Sequence, residues 1–279
     1  MGEKVKIEKN TVQETLVIPL FSRKLSTELY GDFFTDNEAV KLMEKLDYDF
    51  GDIEKRSGSI IERYGALEVA ARQKAFIYEM KEYLKDHPYA SVVNLGCGLD
   101  QSAEVCDNGT CKMYNVDFPD IIEIRNQLIP PAERVTNIAA DLNDPSWYEK
   151  VEREHGAVFF ASGVFYYFTK EEMEKLMNSM AEYFHGGKVI FDIAGKTAVK
   201  MAVKTWVEKS GIKGVNTSFY VGSVEKDVSP WLKHAKASSK PYMLGYFDLK
   251  EKSISGLFRF ISRIADSVMK MKIVRIDFD

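Results

Sequence analysis

The clearest fold signal in the sequence is Ser91-Val92-Val93-Asn94-Leu95-Gly96-Cys97-Gly98-Leu99-Asp100. Its apolar first half predicts a short buried strand, because the run is too short for a helix and glycine ends it. Gly96 and Gly98 allow a tight turn and a close approach to a ligand, since neither carries a Cβ. A helix is predicted to follow, so the loop would direct backbone N–H groups and a positive dipole end at that ligand. The stretch therefore predicts the first strand, loop and helix of a nucleotide-binding α/β sheet.

The spacing of the glycines discriminates between nucleotide ligands. The dinucleotide fingerprint G-x-G-x-x-G needs a third glycine at position 101, where this chain has Gln101. A dinucleotide is therefore disfavoured, and a nicotinamide dehydrogenase is only a distant alternative. The shorter N-x-G-x-G form, which begins at Asn94, indicates S-adenosylmethionine.

Composition narrows the partners and the compartment. The chain has 279 residues, of which 45% are hydrophobic and 29% charged, and a net charge of −4. This balance predicts no basic face for nucleic acid. We find no apolar run long enough to span a membrane and no signal peptide, so we expect neither a membrane partner nor secretion. Cys106 and Cys111 flank a turn that permits a disulfide, but three cysteines without C-x-x-C spacing favour reduced thiols in the cytoplasm.

The first 59 residues show no alternation of strands and helices. Apolar clusters among charges predict helices outside the sheet, one of them capped by Asp36. We interpret residues 1–59 as an N-terminal helical cap or lid, and residues 60–279 as a Rossmann-like domain. Such a cap covers an active site or simply packs on the core, and the sequence leaves both alternatives open. Arg23 is expected to be a solvated side chain.

The order of elements predicts a doubly wound sheet. A long helix from about Ile60 to Leu84 carries Arg72, which as a lone arginine is most simply a surface charge. Eight strand segments are predicted after it, at 91–95, 111–116, 135–140, 157–161, 188–193, 218–221, 242–247 and 271–278. A sheet of about seven strands with a reversed terminal strand would account for the chain. The last part also predicts helices at 196–210 and 256–270.

Two acidic residues follow strands at positions where a nucleoside would lie. Asp117 comes 19 residues after Gly98, close to the distance at which a carboxylate meets ribose hydroxyls. It also suits a cap of the next helix. Asp141 follows the third strand, where its carboxylate would accept a hydrogen bond from the adenine amine while the neighbouring main chain contacts the ring edge.

Several segments together resemble the leucine carboxyl methyltransferase and polyketide O-methyltransferase family, particularly its small bacterial members. The resemblance covers about residues 12–195. Its most specific parts are the glycine stretch with Leu99-Asp100 and the following Val116-Asp117-Phe118-Pro119; the weaker parts are 18–23, Ala71-Arg72, 140–142 and 161–167. It implies a class I S-adenosylmethionine-dependent methyltransferase fold.

The resemblance also implies roles for individual residues. Arg72 would hold the methionine carboxylate, and Asp117 the ribose hydroxyls. The full set of cofactor-binding residues is Arg72, Asn94, Gly96, Gly98, Asp117, Phe118, Asp141, Leu142, Ala161 and Ser162. Family members commonly have glutamate at the position of Ser162, where it serves the methionine end of the cofactor, and this chain has no charge there.

Methyl transfer from a sulfonium needs mainly correct positioning of donor and acceptor. A carboxylate acceptor requires no general base, whereas a hydroxyl acceptor does. Tyr166 and Tyr167 follow the fourth strand and are the candidate catalytic residues, while Phe165 and Phe168 are expected in the core. No cluster has metal-ligand spacing, so no metal is predicted.

The resulting hypothesis is an O-methyltransferase that acts on a carboxylate or hydroxyl of a small molecule. A catalytically silent S-adenosylmethionine-binding protein is the alternative, suggested by Ser162. The sequence indicates neither the acceptor nor the oligomeric state.

Overall fold

Ser91–Leu95 forms an inner strand of a seven-stranded sheet, as the apolar run predicts. The computed structural model describes residues 4–8, 11–202, 204 and 217–279. The strands are β1 (Val5–Lys6), β2 (Leu46–Asp47), β3 (Ser91–Leu95), β4 (Lys112–Asp117), β5 (Val135–Ala139), β6 (Ala157–Ala161), β7 (Lys188–Ile193), β8 (Ala235–Pro241) and β9 (Lys272–Phe278). The α-helices are α1 (Val17–Leu29), α2 (Asn37–Lys45), α3 (Gly51–Arg56), α4 (Ile60–Asp86), α5 (Ser102–Val105), α6 (Pro119–Leu128), α7 (Lys170–Tyr183), α8 (Lys196–Ala202), α9 (Val224–Asp227) and α10 (Gly256–Ser267).

The main sheet has the order β5-β4-β3-β6-β7-β9-β8. Parallel pairing runs from β5 through β7, with Val93 opposite both Tyr114 and Phe159. β9 is antiparallel to both of its neighbours, β7 and β8. The prediction of about seven strands with a reversed terminal strand is therefore confirmed. The carboxyl ends of β3 to β7 meet at one edge of the sheet, where ligands bind in folds of this kind.

Two predicted strands are wrong. Residues 218–221 are not a strand; Ser218 and Phe219 instead donate backbone N–H bonds to the Tyr166 carbonyl at 3.0 and 3.4 Å. Residues 242–247 are not a strand: 242–246 form bends after β8, where Asp266 accepts hydrogen bonds from the backbone N–H of residues 243 and 244. The apolar side chains at 242 and 243 indicate burial, whereas β8 is polar and half-buried and lacks a clear strand pattern.

Smaller differences concern helix ends and a second sheet. The helix predicted at 196–210 is observed from Lys196 to Ala202, and most of its remainder lies outside the described residues. α10 ends three residues earlier than predicted, at Ser267. Val5–Lys6 pairs in parallel with Leu46–Asp47 in a two-stranded sheet that the sequence did not indicate, because each strand has only two residues.

The N-terminal helices pack on α4 and extend the core on one face of the main sheet. Leu20 is fully buried, and Asp36 caps α2 by accepting from the Ala39 N–H at 2.9 Å, as predicted. The Ser26 hydroxyl donates to the Ala66 carbonyl of α4 at 2.7 Å. The division of the chain after residue 59 remains a prediction. None of the helices in the described ranges is long and apolar enough to cross a membrane.

The two faces of β6 belong to two separate parts of the core. Phe160 faces α4, where its ring lies 5.9 Å from that of Phe76, while Phe159 faces Trp147 and Phe184 on the other side. All five residues of β6 are buried, as expected for a parallel strand that is covered on both faces.

We predict that Phe160→Ala lowers the free energy of unfolding by about 3–5 kcal/mol, because it removes a fully buried ring and leaves a cavity. Urea unfolding followed by circular dichroism measures the change. Phe260→Ala is the matched control: the Phe260 side chain on α10 is 57% exposed, so its truncation should change the free energy by less than about 0.5 kcal/mol. Equal losses in the two variants would contradict the assigned core.

Candidate functional site

A cavity of about 520 Å³ lies at the carboxyl ends of the parallel strands. The loops after β3, β4, β5 and β6 line it, together with α4 and the N-terminal segment. Of the predicted site residues, the cavity is lined by Arg72, Asn94, Gly96, Gly98, Asp117, Phe118, Asp141, Leu142, Ser162 and Tyr167. Ala161 lies within β6 and is 1% exposed, and neither it nor Tyr166 lines the cavity.

The glycine loop after β3 forms the floor of this cavity. Gly96 has a φ of +64°, and a Cβ at this position would lie 2.5 Å from a methyl carbon of Val164. No other residue fits there without a backbone or side-chain shift. The backbone N–H groups of Gly96 and Cys97 both donate to the Val116 carbonyl, at 2.8 and 3.2 Å. The loop is thus pinned to the next strand at its first two residues.

Asp117, at the end of β4, holds the loop at a third point. Its Oδ2 accepts from the Gly98 N–H at 2.7 Å, and its Oδ1 accepts from the Phe118 N–H at 2.8 Å. Burial raises the pKa of this carboxyl group above its ordinary value, against the effect of these two hydrogen bonds. Asp117 therefore lines the cavity, but it does not cap α6, because the N-cap residue of that helix is Phe118 and no side chain caps it. Its contact to a ribose remains a prediction.

Arg125 braces the same loop from behind, and sequence reasoning missed it. Its side chain on α6 is fully buried; Nη1 donates to the carbonyls of Gly98 and Asp100 at 3.0 and 2.7 Å. Nη2 forms an ion pair with Glu104 at 2.7 Å. The sequence feature that could have revealed Arg125 is its position among Ile121, Ile124 and Leu128 on the apolar face of α6. An arginine there must have buried acceptors.

Arg23 was expected to be solvated, and this expectation is wrong. The residue is 4% exposed and lines the cavity. Its Nη1 pairs with Asp36 at 3.1 Å, and its Nη2 donates to the Leu99 carbonyl at 3.0 Å. The partner carboxylate explains the burial, because a paired arginine costs far less to desolvate than an isolated one. Through this contact the N-terminal segment is fastened to the glycine loop.

Arg72 points its guanidinium into the cavity wall and is not a plain surface charge. Nη1 pairs with Oδ2 of Asp192 at 2.8 Å, and the Arg72 side chain is 18% exposed. Burial opposes the positive charge, but nearby acidic groups, Asp192 foremost, raise the pKa of Arg72 above its ordinary value. The Asp192 carboxylate also accepts from the Gly163 N–H at 2.7 Å and from the Tyr166 hydroxyl at 3.1 Å.

The aromatic residues after β6 separate into two groups. Tyr167 is 46% exposed and lines the cavity together with Phe168, whereas Phe165 is buried with its ring 5.2 Å from that of Phe191. Burial, together with the charge of Asp192, raises the pKa of Tyr166 well above its ordinary value. Phe165 is therefore core, as expected, but Phe168 contributes to the cavity. The structure places Tyr167 at the cavity and turns Tyr166 towards Asp192.

Asp141 and Leu142 line the cavity beyond β5, alongside Phe118. The Oδ1 of Asp141 accepts from the Asn143 N–H at 2.9 Å, which orders this loop. This side of the cavity combines one carboxylate with apolar walls, a combination suited to a flat heterocycle with an amino group.

The structure also bears on the cysteines and on metal binding. All three cysteines are buried and free, and burial raises the pKa of the Cys106 thiol to about 12. Within the described ranges, no group of three or more histidine, cysteine, aspartate or glutamate side chains is arranged to hold a metal ion.

Comparison with known proteins identifies the family. The model of the leucine carboxyl methyltransferase family matches residues 18–181, more than half of the chain. The tetracenomycin polyketide synthesis O-methyltransferase TcmP of Streptomyces glaucescens is 29% identical over 193 residues, which are 69% of this chain and 68% of that protein. An S-adenosyl-L-methionine-dependent methyltransferase of Gibberella zeae, dpfgK, is 22% identical over 237 residues, which are 78% of this chain and 77% of that one.

Solved structures show the same fold. A DUF574 family protein from Streptomyces avermitilis has a TM-score of 0.56 at 10% identity, covering 93% of this chain and 97% of its own. The plantazolicin methyltransferase BamL, solved with a triazolic desmethylPZN analog and SAH, has a TM-score of 0.52 at 12% identity, covering 96% and 99%. The predicted class I fold is thereby confirmed, and the chain belongs to the leucine carboxyl methyltransferase family of S-adenosylmethionine-dependent methyltransferases.

Proposed function

We propose that this protein transfers the methyl group of S-adenosylmethionine to a carboxylate or hydroxyl oxygen of a small molecule. The observation that carries the proposal is the cavity itself. It brings the arginine Arg72 and the two acids Asp117 and Asp141 to the walls of one space at the carboxyl ends of the strands. A cationic group for a carboxylate and separate acids for hydroxyl and amino groups match the parts of this cofactor.

The size and polarity of the cavity fit the cofactor. About 520 Å³ falls within the range of sites that enclose ligands of this size. Asp117 uses each carboxylate oxygen once, on the N–H groups of Gly98 and Phe118, and each oxygen retains a lone pair for a hydroxyl donor. Phe118 and Leu142 offer apolar surface to the adenine ring.

The reaction is a displacement for which the protein chiefly supplies orientation. The bound cofactor would provide an activated methyl group on a positively charged sulfur. Holding the acceptor oxygen in line with that group supplies roughly 7–11 kcal/mol of the barrier when the alignment is good. Tyr167, at the cavity wall, is available to contact the acceptor. A carboxylate acceptor would react without proton transfer, whereas a hydroxyl acceptor would first have to lose its proton.

The choice of oxygen rests on two supports. The relative TcmP is named as an O-methyltransferase of polyketide synthesis. In this chain Ser162-Gly163-Val164-Phe165 follows β6, where amino-methylating enzymes have an Asn/Asp-Pro-Pro-Tyr motif. The small-molecule acceptor agrees with the net charge of −4, which offers no basic face for nucleic acid. A cytoplasmic location is part of the proposal and agrees with three free cysteines.

A silent cofactor-binding protein is the second candidate, and Ser162 favours it. Ser162 lines the cavity but brings no charge for the cofactor's amino group. Glu172, in the first turn of α7, also lines the cavity, but its Oε2 accepts from the Thr169 N–H at 2.7 Å in the capping box of that helix. Weak cofactor binding without turnover would follow if the missing charge were decisive.

We predict that the purified protein binds S-adenosylmethionine and S-adenosylhomocysteine and does not bind NAD. The physical reason is the pair of glycines followed by Gln101, which lacks the third glycine of a dinucleotide site. Isothermal titration calorimetry with the three ligands measures this directly. The cofactor assignment would be refuted if NAD bound and neither S-adenosylmethionine nor S-adenosylhomocysteine did.

Arg72→Ala should weaken binding of S-adenosylhomocysteine by roughly one to two orders of magnitude, because a charge-assisted hydrogen bond is worth about 1.5–3 kcal/mol. Arg72→Lys should restore only part of the affinity, since lysine cannot make a two-pronged contact. Thermal melts of each variant control for the loss of the Asp192 ion pair. Unchanged affinity in a folded Arg72→Ala protein would remove Arg72 from the site.

Methyl transfer from labelled S-adenosylmethionine should be detected with carboxylic acids or phenols and not with amines. Base-labile product would indicate an ester, and base-stable product an ether. The transfer should persist in EDTA. Exclusive transfer to amines, or activity lost in EDTA and restored by magnesium, would contradict the proposal.

Ser162→Glu separates the two candidate functions in the same assay. In an active enzyme the added carboxylate should tighten cofactor binding or raise the rate without changing the acceptor. In a silent protein it should restore nothing.

A further inference from the structure

Asp192 is a buried acid beside the cavity that accepts three hydrogen bonds, although it does not line the cavity. The residue lies near the end of β7, and its side chain is 1% exposed. Three donors from two other segments converge on its carboxylate: Nη1 of Arg72 from α4 at 2.8 Å, and the Gly163 N–H and the Tyr166 hydroxyl from the loop after β6, at 2.7 and 3.1 Å. One buried carboxylate thus joins α4 and the loop after β6 to β7.

The geometry puts the Arg72 guanidinium between this carboxylate and the cavity. Arg72 lines the cavity while Asp192 lies behind it, and within the described ranges Asp192 is the residue to which the guanidinium donates. A guanidinium has five N–H donors on a rigid plane, so one edge can hold Asp192 while the rest of the group remains available. A Cβ on Gly163 would lie 3.7 Å from the same Nη1, so the loop after β6 approaches this atom closely.

An arginine side chain without such a partner has many rotamers, and fixing it costs conformational free energy each time a ligand binds. The ion pair to Asp192, a buried carboxylate that accepts three hydrogen bonds, already fixes the Arg72 side chain before a ligand binds. We propose that Asp192 is the positioning residue that orients Arg72 for a ligand carboxylate, and that it acts on that ligand through Arg72. This proposal rests on the proposed function, which gives the ligand as S-adenosylmethionine.

The test compares two ligands that differ in the part Arg72 would contact. S-adenosylhomocysteine has the amino acid carboxylate, whereas 5′-methylthioadenosine has the same nucleoside and thioether but no amino acid. Asp192→Asn keeps the shape of the side chain and an oxygen for the Gly163 N–H, but removes the charge that holds Arg72. We expect this variant to bind S-adenosylhomocysteine roughly tenfold more weakly, as measured by calorimetry. Its affinity for 5′-methylthioadenosine should be unchanged.

The double variant distinguishes positioning from an independent contribution. If Asp192 acts through Arg72, then Arg72→Ala combined with Asp192→Asn should bind S-adenosylhomocysteine as weakly as Arg72→Ala alone. Asp266→Asn is the matched control: Asp266 also accepts two backbone N–H bonds, at 3.2 and 2.8 Å, but lies on α10 and does not line the cavity. Its affinities for both ligands should equal those of the unchanged protein.

Three results would overturn the proposal. These are equal losses for the two ligands in Asp192→Asn, an unchanged affinity for S-adenosylhomocysteine in that variant, and additive losses in the double variant. If Asp192→Asn does not fold, Asp192→Glu replaces it, since it keeps the charge and lengthens the side chain by one methylene. That variant should lose affinity for S-adenosylhomocysteine selectively, and by less than Arg72→Ala. Failure of the unchanged protein to bind either ligand would instead refute the proposed function.

Discussion

A glycine-rich loop has few side-chain contacts that could fix its conformation. In this structure, side chains from other segments fix it by hydrogen bonds to the loop backbone. Asp117 accepts a hydrogen bond from the Gly98 N–H, while Arg125 donates to the Gly98 and Asp100 carbonyls. Arg23 donates to the Leu99 carbonyl. Charged partners make these hydrogen bonds stronger than neutral ones, and all three partners are themselves held by other groups. The position of the cavity floor depends on this arrangement.

The same arrangement explains why the N-terminal segment belongs to the site. Arg23 reaches the loop because Asp36, at the cap of α2, neutralises it, and Thr15, Leu16 and Pro19 line the cavity beside it. Removing either member of such a pair leaves an uncompensated buried charge, which is far more costly than the pair is beneficial. The segment from Thr15 to Asp36 and the glycine loop are therefore energetically coupled.

The sequence predicted the parts of the fold whose signals are local. The strand before Gly96, the cap at Asp36 and the capping box of Thr169 and Glu172 all have a pattern that needs no knowledge of distant residues. Most of the predicted cofactor-binding residues were also found around one cavity, because parallel strands bring their carboxyl ends together.

What the sequence did not reveal depends on contacts between distant residues. Arg72 and its partner Asp192 are 120 positions apart in the sequence, and Arg23 and its partner Leu99 are 76 apart. A charged residue on a helix has the same local pattern whether its partner is water or a buried carboxylate. The polar strand β8 was missed for a related reason, since its strand character comes from pairing with β9 and not from its own side chains.

The place of β9 between β7 and β8 has a consequence for how the protein is made. Residues 272–278 pair on one side with β7 and on the other with β8, so both neighbours precede them in the chain. During synthesis β8 has no strand to join until these residues emerge from the ribosome. Until then, β7 has an open apolar edge, which is a hazard for aggregation. If this sheet forms in the order of synthesis, β9 therefore has to insert between two strands that are made before it.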